Sequence, residues 1–292
     1  MTARRRVEVT RPDKLLWPSL GITKRVYVDY LDAVADRMLP WLRDRPLTVI
    51  RAPDGVDGQR YFQKNTPSYA PSWIKTVTIP APSAKRDVAY TVCNDAATLA
   101  WLGNQAALEF HPAPVRRDRI ERPDLLVVDI DPPDGAFDAA VEVAFLVLEV
   151  LDDLGLSTLV KTTGGKGLHI VVPLVRHVTP EGLRLVADRL TSIVADRRPD
   201  LVTTEFRKAG RKGRVMLDPS RNGTGATIVA PYSPRARDGA TVSFPVLPEE
   251  LWTIAPTDFT VATVPRLLDR PGPTRWSDVS SGQRLPAEIL RD

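Results

Sequence analysis

The chain has 292 residues, 43% of them hydrophobic and 26% charged, with a formal net charge of +4. That composition provides for a large core and excludes a disordered or fibrous protein. No apolar run reaches the ~18–20 residues of a membrane span, the basic start MTARRRVEVTRPDK lacks the apolar stretch of a secretory signal, and Cys93, the single cysteine, excludes an internal disulfide or a thiolate cluster, which fits a reducing cytoplasm.

In chain order, Thr23 is placed to cap a helix carrying Val26, Tyr30, Val34 and Met38 at four-residue steps. LTVIR (47–51), KTVTI (75–79) and VAYTV (88–92) are short, β-branched and predicted as strands. Asp95 can cap a helix over AATLAWLGNQAALE. The strand LLVVDID (125–131) precedes a helix from Phe137 to Leu154 that stops at Gly155. STLVKT (157–162) and GLHIVVPL (167–174) are strands joined by a tight glycine loop. Thr179-Pro180-Glu181 opens a helix through Leu183, Leu190 and Val194. RVMLD (214–218) and ATIVA (226–230) complete the strands, and from about Pro265 the chain reads as a short helix and a polar tail. Prolines gather in connections such as TPSYAPSW and APYSPRARDG, so those stretches are extended loops. The layout is mixed α/β, with sheets covered by helices.

Chemistry concentrates in three places. Strand alternation puts Asp129 and Asp131 on one face with Leu125 and Val127. Residues two apart on a strand are ~6.6–6.8 Å apart, a spacing that lets both carboxylates serve one divalent ion or bridge two. Left without a cation, the carboxylates would repel one another, so replacing any of them should relieve the metal-free protein. In KTTGGKGLHIVVPL, Gly164, Gly165 and Gly167 permit a loop whose amides converge on an anion. Lys166 adds charge there, Thr162 and Thr163 add hydroxyls, and His169 reaches back from the next strand. The spacing is not that of a P-loop. Asp218 closes a third strand, followed by Arg221 and, beyond ATIVA, Arg235. Basic clusters RKAGRKGR, PYSPRAR and PVRRDRIER flank these carboxylates and point to nucleotide or nucleic acid.

D-x-D, then G-G-K-G-x-H, then a strand-end Asp with arginines resembles the motif series of the archaeo-eukaryotic primase superfamily. RPDKLLWP, Thr23-Lys24, RAPDG with RYFQK, AALEFHP and APYSPRAR bring the resemblance closer, to the polymerase domain of bacterial DNA ligase D and its stand-alone relatives. It implies a primase-like catalytic core over 1–292: two β-sheets flanked by helices with the active site between them. The N-terminal lobe would run to about 120, the core from about 121 to 264, and the tail from about 265. It implies that Asp129, Asp131 and Asp218 hold two divalent cations, Mn2+ or Mg2+. Lys166, His169, Arg221 and Arg235 would hold a nucleoside triphosphate, with Thr163 and His111 near its sugar and phosphates. Tyr61 and Phe62 would stack on a base beside Lys64. Lys14 and Lys24, joined by Arg11, would bind a 5′-phosphate on the downstream DNA strand. Lys24 follows the helix cap, where free backbone N–H groups would add to the pull on an anion.

The implied activity is gap-filling primer extension that prefers ribonucleotides, by a monomer in the cytoplasm, with Ku and a DNA ligase as partners. No K-x-D-G ligase motif occurs, so sealing would come from elsewhere. Three positions depart from the family pattern. Thr162-Thr163 stand where relatives often carry serine, Arg11 where they have asparagine, and Tyr61 where phenylalanine is common. Two other classes compete. VVDIDPPDG resembles the aspartate motif of haloacid-dehalogenase-like phosphatases, but Pro132-Pro133 replace its D-G-T continuation and the strand lies mid-chain. A non-catalytic DNA-end-binding module would not need all three aspartates.

Overall fold

The computed structural model describes residues 5–81, 86–269 and 282–290. Its strands are β1 (Leu15–Trp17), β2 (Ile22–Thr23), β3 (Leu47–Arg51), β4 (Tyr61–Gln63), β5 (Lys75–Ala81), β6 (Arg86–Val92), β7 (Ala107–Pro112), β8 (Leu125–Asp131), β9 (Leu159–Thr162), β10 (Leu168–Pro173), β11 (Val202–Thr203), β12 (Val215–Asp218) and β13 (Pro245–Val246). The helices are α1 (Lys24–Leu42), α2 (Ala96–Asn104), α3 (Phe137–Asp153), α4 (Pro180–Arg197) and α5 (Ala287–Leu290).

The predicted caps form. Thr23 Oγ1 accepts from Val26 N, Asp95 Oδ1 from Thr98 N and Thr179 Oγ1 from Gly182 N. Along α1, Tyr30, Val34 and Met38 are buried as their spacing predicts, whereas Val26 is exposed in the first turn. The second helix is shorter than expected. It ends at Asn104, Ala106 takes a positive φ of 56°, and ALEFHP runs on as β7. The apolar–polar alternation Leu108, Glu109, Phe110, His111 explains that strand.

Two large sheets follow. The N-terminal one has the order β4-β3-β6-β5, with β7 on the other side of β3. The other is ordered β11-β12-β8-β10-β9-β13, and β8 is antiparallel to both its neighbours. Leu126, Val128 and Ile130 of β8 enter the main core beneath α3 and α4. Its opposite face, Leu125 and Val127, joins a smaller cluster with Trp41, Leu159, Val171 and Ile228. That face continues into Asp129 and Asp131. A buried ion pair, Arg45 Nη1 to Asp124 Oδ1 at 2.6 Å, ties the chain before β3 to the start of β8.

ATIVA is not a strand. Ile228 N and Ala230 N donate to Pro112 O and Phe110 O, so the segment lies along β7. Neither bond is returned, because Pro112 has no N–H and Phe110 N donates to Ser233 Oγ at 2.9 Å. The expected C-terminal helix and tail fall partly outside the described residues. Val264–Leu267 is a 3₁₀ turn and Ala287–Leu290 a single helical turn.

Candidate active site

A cavity of about 780 Å³ opens between the two large sheets. Phe62 and His111 line it from one sheet, and Asp129, Asp131, His169 and Asp218 from the other. Register makes this arrangement. Asp129 sits directly opposite Asp218 on β12 and His169 on β10, and His169 opposite Lys161 on β9. Cross-strand partners share a face, so Asp218, Asp129, His169 and Lys161 form one row.

Each carboxylate is already engaged. Arg221 Nε donates to Asp129 Oδ2 at 2.9 Å and lies 3.7 Å from Asp218 Oδ2, while His169 Nε2 is 3.3 Å from Asp129 Oδ1. Arg211 Nη1 donates to Asp131 Oδ2 at 2.7 Å, and Lys166 Nζ is 3.4 Å from Asp131 Oδ1 and 3.2 Å from Asp134 Oδ1. Burial works against the Asp129 charge, but His169 and Arg221 outweigh it and hold this carboxyl well below the usual range. The His169 pKa is pushed down to about 4 by burial first and then by Lys161. The ring turns Nε2 toward Asp129, and its buried Nδ1 has no partner among the described residues.

Among the described residues no three His, Cys, Asp or Glu groups gather closely enough to hold a metal ion as they stand. The donor set nevertheless fits hard divalent cations: three carboxylates, from adjacent strands, lining one cavity. The basic side chains now pairing with them supply the compensating charge.

The glycine loop differs from the expected cradle. Gly165 N and Gly167 N turn to Thr163 Oγ1, at 3.2 and 3.4 Å, so the loop amides converge on the loop's own hydroxyl. Thr163 thus organises the loop from within. Close approach explains two glycines. A Cβ at Gly167 would lie 2.0 Å from Ile130 O, and one at Gly164, where φ is +64°, 2.8 Å from Ser243 N.

The second sheet contributes a cluster that sequence reasoning missed. Glu109 Oε2 lies 2.8 Å from His111 Nε2 and 2.9 Å from Arg235 Nε, and Oε1 accepts from Ala236 N at 2.8 Å. Burial opposes the Glu109 charge, yet the His111 bond and the Arg235 charge bring its pKa down to about 2. Arg235 also donates to Thr163 O at 2.8 Å, linking this cluster to the loop. Burial lowers the His111 pKa. Alternation on β7, with Glu109 and His111 two apart, is the signal that could have found Glu109. Lys161, buried with Nζ on Ser243 Oγ at 2.7 Å, and Arg211 were missed as well.

Tyr61 and Phe62 do not form one platform. Both are exposed, but neighbours on a strand point to opposite faces. Phe62 lines the cavity, whereas Tyr61 bonds Gln59 Oε1 away from it. Lys64 Nζ lies 5.8 Å from the centre of the Phe62 ring.

Arg11, Lys14 and Lys24 do come together, outside the cavity. Lys24 is buried, and burial first, then the charges of Lys14 and Arg11, lower its pKa. Lys14 Nζ bonds Asp54 Oδ1 at 2.8 Å. The expected free helix amides are absent. Lys24 N donates to Lys14 O, Arg25 N to Pro12 O and Val26 N to Thr23 Oγ1, because the preceding turn folds back over the helix end. Any anion here meets side chains alone.

Residues 23–275 match the family model described as the LigD primase-polymerase domain. The chain belongs to the LigD primase–polymerase domain family. The polymerase domain of Mycobacterium tuberculosis ligase D, solved in complex with DNA, superposes with a TM-score of 0.87 at 33% identity, covering 95% of this chain and 99% of that one. The multifunctional non-homologous end joining protein LigD of Mycolicibacterium smegmatis is 38% identical over 246 residues, 82% of this chain and 32% of that protein. The bifunctional non-homologous end joining protein LigD of Bacillus subtilis is 34% identical over 262 residues, 89% of this chain and 42% of that protein. The primase–polymerase chain thus spans about a third to two fifths of these relatives. It is a nucleotidyltransferase domain, which sets aside the phosphatase and tethering readings. Catalysis of this class calls for divalent metal ions in general. No helix among the described residues is long and apolar enough to cross a membrane.

Proposed function

We propose that this domain extends DNA primers across short gaps at 5′-phosphorylated ends, preferring ribonucleotides, as a cytoplasmic monomer that works with Ku and a DNA ligase in break joining. One observation carries the reading: on a chain of this family, Asp129, Asp131 and Asp218 line one cavity with the Lys166 loop, His169 and Arg221. The three aspartates would hold two ions, Mn2+ or Mg2+, which when bound activate the primer 3′-hydroxyl and neutralise developing charge on the phosphates.

The chain's own part is an exchange of partners. Arg221, Lys166 and His169 pair with carboxylates in the free protein. Once those carboxylates are otherwise engaged, the same side chains turn to the triphosphate, where a guanidinium fork, an ammonium and a ring N–H suit phosphate oxygens. Asp131 must leave Arg211 in the same exchange. Phe62 offers the one cavity-facing ring of its pair for a base. His111 remains the polar group for the sugar, with Glu109 fixing its ring.

The test is single-nucleotide addition on gapped DNA with Mn2+ or Mg2+, comparing ribo- and deoxyribonucleotides. Addition at a lower KM for ribonucleotides is expected. No addition with either metal overturns the reading, and equal efficiency with both sugars overturns the preference.

Glu109→Gln gives a second expectation. Losing the charge loosens His111 and Arg235 together, and charge-assisted bonds contribute about 1.5–3 kcal/mol each. The KM for nucleotide should rise roughly tenfold or more, with a smaller change in kcat. Steady-state kinetics decide it, and an unchanged KM would remove Glu109 from nucleotide positioning.

A further inference from the structure

Asp218 and Arg221 belong to one turn, at the point where β12 leaves the sheet. Pairing of β12 with β8 runs from Met216 opposite Asp131 to Asp218 opposite Asp129, and there it stops. Continued register would set Ser220 opposite Val127. Instead Pro219, which has no N–H for a ladder, starts the 3₁₀ turn Pro219–Asn222. Val127 is fully buried, so an N–H and a C=O facing that side need partners from elsewhere.

The side chain of Asn222 supplies them. Its Oδ1 accepts from Val127 N at 2.8 Å, and its Nδ2 donates to Val127 O at 2.8 Å. A primary amide carries the acceptor and the donor of a peptide group, so it stands in for the missing strand residue. The same Nδ2 donates to Pro219 O at 3.0 Å and closes the turn from inside. Asn222 is 1% exposed, so all three bonds are made away from water. At the other end of the turn Asp218 Oδ1 accepts from Ser220 N at 2.8 Å, which leaves Oδ2 as the oxygen facing Arg221. Arg221, next to Asn222 in sequence, reaches across to Asp129 Oδ2. The two neighbours differ in kind. Asn222 is buried and bonded to backbone alone, whereas Arg221 bonds a carboxylate that can exchange it.

We infer that Asn222 is a positioning residue for nucleotidyl transfer: by clamping the Pro219–Asn222 turn to Val127, two residues before Asp129, it sets Asp218 against Asp129 and aims Arg221 between them. This role presupposes the polymerase reading above. Carboxylates from β12 and β8 can serve the same ions only while the two strands keep their offset. Beyond Asp218 the backbone ladder no longer enforces that offset, and the Asn222 amide does. Its bonds involve no charged group, so they are not disturbed when Asp129 and Arg221 change partners. The frame stays fixed while the charges within it are rearranged. Asn222 acts through Asp218 and Arg221 and touches neither substrate nor metal.

The experiment uses the full chain and its Asn222→Ala and Asn222→Gln variants, at a temperature where melting curves show each to be folded. Mn2+ binding is read from the electron paramagnetic resonance of the free ion, without nucleotide or DNA, with Asp218→Ala as the reference for a lost ligand. Removing a group that orients a ligating side chain costs about 10- to 100-fold in metal affinity or activity. Asn222→Ala should therefore weaken Mn2+ binding about tenfold and lower kcat by a similar factor or more, with primer–template affinity unchanged. Its Val127 amide should exchange with solvent faster. Asn222→Gln keeps both polar ends but is one methylene longer, so it should fold and fall between, with Mn2+ binding weakened about two- to fivefold. A purely structural role would lower the melting temperature and leave the Mn2+ affinity of the folded protein as it was. That result in either variant overturns the positioning role, and if Asn222→Ala does not fold, Asn222→Gln decides alone. If the unaltered protein binds Mn2+ and extends primers while both variants match it, the Asn222 role alone falls. If the unaltered protein does neither, the polymerase reading falls and takes the Asn222 role with it.

Discussion

Asp218→Ala should lower nucleotide addition by at least ~100- to 1,000-fold, because losing a metal-holding carboxylate forfeits several kcal/mol of charge stabilisation in the transition state. Binding to gapped DNA should hold within about twofold, since Asp218 touches none of the residues proposed to grip DNA. Stability is where the aspartates part company. Considered as mutually repelling charges, their removal would relieve the metal-free protein, but the structure reverses that expectation for Asp129. It is buried, bonded to Arg221 and His169, and its carboxyl is held well below the usual range despite burial. A folded-state pKa below the unfolded value contributes stability above the unfolded pKa, and this is lost as pH falls through the folded one. At neutral pH the contribution is fully present. Asp129→Ala should therefore destabilise the free protein by about 1–3 kcal/mol, the cost of leaving a partly buried charge and a buried ring without their partner. Asp131 is half-buried and should show less of this. Primer-extension rates with thermal melts separate the two effects. Near-normal extension by Asp218→Ala would sink the metal assignment, and an unchanged melting temperature for Asp129→Ala would show that its cations find other partners.

What the sequence made legible was local. Thr23, Asp95 and Thr179 are caps that need only their next three residues, and all three cap as expected. The strand carrying Asp129 and Asp131 is written in a short apolar, β-branched run, and its observed limits are those of LLVVDID. Pairings between distant segments were not legible. Arg211 meets Asp131 across 80 residues, Arg221 meets Asp129 across 92, and Glu109 reaches Ala236 across 127. No periodicity encodes such distances, so the basic clusters and the aspartates were each visible while their pairing was not. ATIVA shows the limit from the other side. Its β-branched residues fit a strand, but of its two partners on β7 Pro112 has no N–H and Phe110 N goes to Ser233 Oγ, so neither bond is returned. The opposed faces of Tyr61 and Phe62 follow from strand alternation, although their shared aromatic character suggests a common platform.

Replacing both Lys14 and Lys24 by alanine should weaken binding to gaps with a 5′-phosphate by about 10- to 100-fold, while activity on an open primer–template stays within about twofold. The basis is the gathering of like charge. Lys24 is buried beneath a turn whose Lys14 and Arg11 both depress its pKa, after burial itself. Among the described residues, the one acid bonded to the trio is Asp54, which pairs with Lys14 from an exposed position. A surface pair of that kind contributes little and is readily exchanged for a denser anion. With the helix amides already committed to Lys14 O, Pro12 O and Thr23 Oγ1, the side chains of Lys14, Lys24 and Arg11 carry the attraction. Replacing both lysines should therefore remove most of it, with no helix-end contribution left behind. One charge-assisted contact contributes about 1.5–3 kcal/mol, and two lysines sharing a single phosphate, with Arg11 left in place, set the loss on the scale of one such contact. The slope of log K against log salt should also fall by about 1 per lost phosphate contact. Binding titrations on gaps ending in 5′-phosphate and 5′-hydroxyl, at several salt concentrations, read both quantities. A terminal phosphate carries more charge than an internal phosphodiester, so a pocket built for it discriminates between the two ends and anchors the domain at the gap. Equal loss of affinity for both ends would make Lys14 and Lys24 general backbone contacts and end the case for a 5′-phosphate pocket.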